Sequence, residues 1–157
     1  MREILFRGKR IENGEWVYGC YVNQENKHII FEKESTWHHY IDKNTLGQYT
    51  GLKDKNGTKI FEDDIVEVTI KYEEYDWDGK YKKYTQKLIG KVIYEKNAFV
   101  INSKTRTLDF IDKKYVEIQR DGITYYYTYK VIGNIHDNSE LLEGWRWSNL
   151  TYRKFIL

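Results

Sequence analysis

With 157 residues, 26 basic against 24 acidic side chains and a net charge of +2, the chain is the size of a single domain. It carries none of the basic excess that a phosphate-binding surface shows. Fifteen Tyr, six Phe and five Trp make 17% of it aromatic. That is enough to build a core at a mean hydropathy of −0.79, since each buried ring removes on the order of 150–250 Å² from water. Cys20 is the sole cysteine, which excludes an intramolecular disulfide. No run approaches the ~18 apolar residues of a membrane helix and the first ten residues hold no signal-peptide core, so a soluble protein of the cytoplasm is expected.

The elements read as β almost throughout. Asn13-Gly14 lies between Ile4–Ile11 and Glu15–Val22, a strong hairpin signal because both residues tolerate positive φ. Cys20, inside Trp16–Val22, reads as a half-buried strand residue rather than a reactive thiol. His38 and His39 are neighbours on a strand, so their side chains point to opposite faces and do not share a metal. Asp42–Leu46 fits a short helical turn. Gly47, Gly51 and Gly57 supply backbone freedom for tight turns, and Asn56-Gly57 closes one before Thr58–Phe61. Glu62-Asp63-Asp64 matches no calcium loop and reads as a solvated turn before a strand that puts Val66, Val68 and Ile70 on one face.

Residues 65–94 form one long predicted hairpin. A two-residue loop at Asp78-Gly79 sets Trp77 opposite Lys80, Glu74 opposite Lys83 and Val68 opposite Ile89. Glu73, Glu74, Asp76 and Asp78 then face Lys80, Lys82, Lys83 and Lys87, each opposed pair worth roughly 0.2–1 kcal/mol. The tip is too polar for a core and should project into solvent. A last hairpin runs from Tyr115–Gln119 through Asp121-Gly122 to Ile123–Ile132, with Tyr125, Tyr126, Tyr127 and Tyr129 on its return strand. Val131-Ile132 end that strand and Gly133-Asn134 turn. Asn138 or Ser139 caps a helical turn over Glu140–Glu143 that docks Leu141 and Leu142, and Asp137 is a further capping candidate. The tail 144–157 holds Trp145, Trp147 and Phe155. No proline is present, which leaves charged side chains to blunt the strand edges.

Three blocks together resemble the YopX family of phage and prophage proteins. They are Arg2-Glu-Ile-Leu-Phe-Arg7, the stretch Gly47–Val68, and Tyr129-Lys-Val-Ile-Gly-Asn-Ile-His-Asp-Asn-Ser-Glu-Leu-Leu142. The chain departs from that pattern where Gly8-Lys9-Arg10 replaces a small residue, Trp and Asp. It departs again where Glu62-Asp63-Asp64 replaces Glu-Gly-Asp, and where Ser139 replaces a frequent Pro. The resemblance implies a mostly-β fold with an SH3-like barrel portion, encoded by a phage or prophage, and brings no catalytic residue, because the family has none assigned.

The expectation is an all-β fold of mainly antiparallel hairpins, with an SH3-like small barrel and one or two short helical turns. It is one domain, 1–157, in which 1–48 are an N-terminal hairpin lobe, 49–143 the barrel and 144–157 a tail. No nucleophile elbow, Walker loop, dinucleotide fingerprint or zinc spacing occurs, so no catalytic residue, metal or cofactor is assigned. The expected function is a non-enzymatic binding module contacting a host or phage protein. The alternative is a nucleic-acid binder of low sequence preference; self-association is open and a membrane is not expected. The candidate contact residues are Tyr75, Trp77, Tyr81 and Tyr84 on the hairpin tip, and Trp145 and Trp147 in the tail. Exposed rings of these types anchor interfaces.

Overall fold

A computed structural model of the chain describes residues 3–75, 78–110 and 123–143. Eleven strands fill them: β1 (Phe6–Lys9), β2 (Trp16–Gln24), β3 (Lys27–Glu32), β4 (His38–Tyr40), β5 (Gly47–Lys53), β6 (Lys59–Phe61), β7 (Asp64–Tyr75), β8 (Tyr81–Glu95), β9 (Ala98–Ser103), β10 (Thr107–Asp109) and β11 (Thr124–Asn134). They make two antiparallel sheets, one ordered β4-β3-β2-β1-β5-β6 and one ordered β10-β9-β8-β7-β11. The only helical pieces among the described residues are two 3-10 turns, Lys43–Thr45 and Ser139–Leu142. The all-β, antiparallel expectation holds. Among the described residues neither sheet closes into a barrel. The first sheet does curl: an isolated bridge joins Arg10 to Ile41, and Ile11 N–H donates to the Tyr40 carbonyl at 3.0 Å.

Alternation along the strands explains the cores. On the second sheet Val66, Val68, Ile70, Leu88, Val92 and Ile101 share a buried face, covered by Ile60 and Leu52 from the β5–β6 hairpin and joined by Tyr127, Tyr129 and Val131. Val17, Ile30 and Ile41 fill the inside of the curled first sheet, and Leu5, Tyr49 and Phe61 form a third cluster.

Turns carry the chain between strands. Asp54 Oδ1 accepts from the N–H groups of Asn56 (2.8 Å) and Thr58 (2.9 Å), and Gly57 takes φ +86°. Gly47 serves differently from expectation: it lies in β5, and a Cβ there would stand 2.7 Å from the Glu62 carbonyl oxygen. Its role is close approach. Asp63 takes φ +67°, so the place of the absent glycine is still a left-handed position, held by a residue that tolerates it.

Three further expectations are corrected. The β7–β8 register pairs Val68 with Leu88, Glu74 with Lys82, Glu73 with Lys83 and Tyr75 with Tyr81, one residue from the two-residue-loop register. Leu88 and Val92 thereby join Val68 on the buried face, whereas the expected register put Ile89 there. A one-residue slip exchanges faces, so burial decides where charge pairing does not. Cys20 is exposed, not half-buried. β11 runs on through Gly133 and Asn134, with a shift in pairing between Val131 and Gly133, so the turn comes later, at Ile135–Asp137.

Candidate binding surface

The tip hairpin is built from the two longest strands, β7 and β8. Tyr75 and Tyr81 sit directly opposite each other on the face away from the core, with ring centroids 5.4 Å apart, and are 74% and 47% exposed. Tyr84 lies on the other face. It stacks on Tyr72 at 4.9 Å, and Tyr72 in turn contacts Tyr125 at 5.3 Å. The predicted rings are therefore divided: one pair looks outward, while Tyr84 belongs to a row of three tyrosines that continues the core face. Neither Tyr72 nor Tyr125 was among the candidates, although their even and odd numbering along paired strands carries the signal. Trp77, Trp145, Trp147 and Phe155 lie outside the described residues.

Charges along the tip are matched on the hairpin itself. Lys83 bridges Glu73 at 3.1 Å, Lys87 bridges Glu67 at 3.2 Å and Lys80 bridges Asp78 at 2.8 Å. The Tyr81 hydroxyl donates to the Glu73 carboxylate. That bond and the Lys83 ammonium lower the Glu73 pKa, while the same carboxylate raises those of Tyr81 and Lys83.

A second polar centre sits where the sheets meet. Arg7 Nη1 lies 2.7 Å from Asp64 Oδ1, both side chains nearly inaccessible, and its Nη2 donates to the Glu62 carbonyl at 3.1 Å. The guanidinium carbon is 4.7 Å from the Trp16 ring centre and 4.9 Å from that of Phe61. Asp64 Oδ2 accepts from the Phe61 N–H at 2.7 Å. Burial raises the Asp64 pKa against the opposing pull of Arg7 and that N–H. Asp63 meets Lys91 at 3.0 Å and His136 Nε2 at 3.1 Å. Asp137 accepts from Lys9, from Trp16 Nε1 at 2.8 Å and from Asn134 Nδ2 at 2.9 Å. These bonds hold its carboxyl far below the usual range, the Lys9 bond contributing most.

His136 and Asp137 thus bond to separate partners. Asp137 does not cap the following turn: its N-cap is Asn138, which makes no side-chain capping bond. Glu62-Asp63-Asp64 is a corner clasp between sheets rather than a solvated turn. His38 packs its ring on Phe31, while His39 bonds Glu32 at 2.9 Å. Sequence reasoning did not single out Arg7, Lys9 or Trp16. The signal available was that Arg7 belongs to the first of the three blocks that carry the family resemblance, and all three blocks meet at this centre.

No helix among the described residues is long and apolar enough to cross a membrane. Among curated proteins, none matches the chain. The chain is similar to the crystal structure of protein EF1440 from Enterococcus faecalis, with 25% identity over 90% of this chain and 99% of that one and a TM-score of 0.44. The profile described as YopX protein matches residues 5–143, which takes in the Arg7 strand, the Glu62–Asp64 corner and the His136–Asp137 turn, and the chain belongs to that family.

Proposed function

We propose that the chain is a phage- or prophage-encoded, non-enzymatic binding module that works in the cytoplasm of the bacterial host and contacts a host or phage protein through the tip of the β7–β8 hairpin. The observation that carries this reading is the Tyr75–Tyr81 pair: two large rings facing solvent on strands that project their charges in matched pairs. Tyrosine gives contact area at low entropic cost and is favoured at interface centres. We read the β5–β6 turn and β11 as an SH3-like half-barrel, supported by the Lys55 N–H donating to the Tyr129 carbonyl at 3.0 Å and the Val131 N–H donating to Asp54 Oδ2 at 3.1 Å. The matched lysines speak against a phosphate-binding tip, since paired ammonium groups contribute little to a nucleic-acid footprint.

The test is recovery of the protein with its partner from phage-infected cells. Tyr75→Ser/Tyr81→Ser should lose the partner with Tm nearly unchanged. A fall in Tm of many degrees would show the rings to be structural and end the reading. Binding to DNA that weakens steeply with added salt would establish the nucleic-acid alternative instead.

A further inference from the structure

The outer face of the curled first sheet has an unusual composition for this chain. Pairing places Cys20, Phe31 and His38 in one cross-strand row, and Val22, Ile29 and Tyr40 in the next. Alternation sets both rows on the side opposite Val17 and Ile30, which fill the inside of the curl. Val22, Phe31 and Tyr40 are 41%, 37% and 48% exposed, and Cys20 is also open to solvent. The two rows contain no carboxylate, ammonium or guanidinium, in a chain that is 32% charged. The outward face of β7 and β8 shows the contrast, with Glu67, Glu73, Lys83 and Lys87 in ion pairs. A sheet face left to water normally alternates polar residues outward.

We propose that this face is a self-association surface, on which a second copy of the chain packs its own β2–β3–β4 face. Charge and area both favour a second copy. Two rows without fixed charge, with the exposed Lys27 of the next row at their margin, offer little to select a partner by sign and meet little like-charge repulsion against themselves. With Tyr18 at its margin the face exposes on the order of 500 Å² per copy, so a pair hides about 1,000 Å², the lower limit for a specific interface. The dimer is correspondingly weak and depends on concentration. The proposal is independent of the hairpin tip, which lies on the other sheet.

Sedimentation equilibrium over a concentration series tests it. The expected result is a mass rising from 19.1 kDa toward twice that value in the parent chain. Val22→Lys/Tyr40→Lys, which sets cations face to face, should stay monomeric with an unchanged Tm. Tyr75→Ser/Tyr81→Ser should dimerise like the parent. Cys20, the single thiol, supplies a readout that needs no variant: its alkylation by a maleimide should slow as protein concentration rises. A parent that remains a monomer at about 1 mM, where even a 4 kcal/mol association shows, overturns the proposal. So does a dimer that survives the two lysines or is lost with the tip tyrosines, or a Cys20 whose reactivity ignores concentration in a chain that dimerises.

Discussion

The Arg7–Asp64 pair shows how single residues set the fold's tolerance to change. Both side chains are almost wholly buried, and the guanidinium is held between the Trp16 and Phe61 rings. Removing one partner of such a pair leaves a buried charge without compensation and costs on the order of 3–5 kcal/mol, whereas replacing both with neutral groups costs much less. Arg7→Met should therefore lower stability by about that amount in urea denaturation. Adding Asp64→Asn to it should recover a good part, because the side-chain amide oxygen still accepts from the Phe61 N–H and no charge is buried. An Arg7→Met chain as stable as the parent would show that the pair is incidental. Asp63, one position earlier, spends its backbone in the left-handed region and both carboxylate oxygens on Lys91 and His136, so two adjacent acids do separate things.

At the level of elements, the hairpins differ in how visibly the sequence encodes them. Asn13-Gly14 and Asn56-Gly57 marked their turns because glycine supplies positive φ. Two tight hairpins escaped notice: β2–β3 turns through Glu25-Asn26 at φ 49° and 65°, and β8–β9 through Lys96-Asn97 at φ 50° and 64°. Both are two-residue loops with positive φ at each centre, the type I′ geometry, in which Asn at the second place is the only local cue. Lys96→Asn/Asn97→Gly should relieve the left-handed cost and raise stability by roughly 0.5–1 kcal/mol, read as a higher Tm. A fall in Tm would mean that Lys96 or Asn97 makes a contact of more worth than its backbone strain. The β7–β8 register failed for another reason. Lys80, Lys82 and Lys83 are so close together that either register opposes acids to bases, and only the burial of Leu88 and Val92 separates the two. For the binding surface, the exposure of Tyr75 and Tyr81 was legible from polar flanks, but the inward place of Tyr84 was not, because a slip of one residue reassigns its neighbours.

At the level of the molecule, the Asp137 clasp ties the last of the three blocks to the first strands through Lys9 and Trp16. Its carboxyl is depressed in the folded chain, chiefly by the Lys9 bond. A depressed acid contributes stability that is present above its unfolded pKa, near 4, and is lost as pH falls toward the folded value. Stability should therefore decline below about pH 5, and Asp137→Asn should flatten that part of the profile while lowering stability at pH 7. Equal acid sensitivity in the two chains would assign the decline to other carboxylates. Around the same centre, Asp63 N–H donates to the Val92 carbonyl and Ile135 N–H to the Asp63 carbonyl, so the corner joins strands from both sheets to the C-terminal turn.

That wiring has a consequence for how the protein is made. β7 is flanked by β8, its immediate successor, and by β11, which follows some fifty residues later. Until β11 is synthesised, one edge of the central strand lacks its partner, and until residues 135–137 follow, Asp63 lacks His136 while Lys9 and Trp16 lack Asp137. A chain emerging from the ribosome can close the early hairpins one by one, but its junction assembles only once residues 135–137 have been added. Folding dominated by such distant pairings runs on the millisecond-to-second scale. During that interval the nascent protein presents a long strand, apolar on one face and without proline to guard its edge, which makes it a client for whatever holds unfinished chains apart.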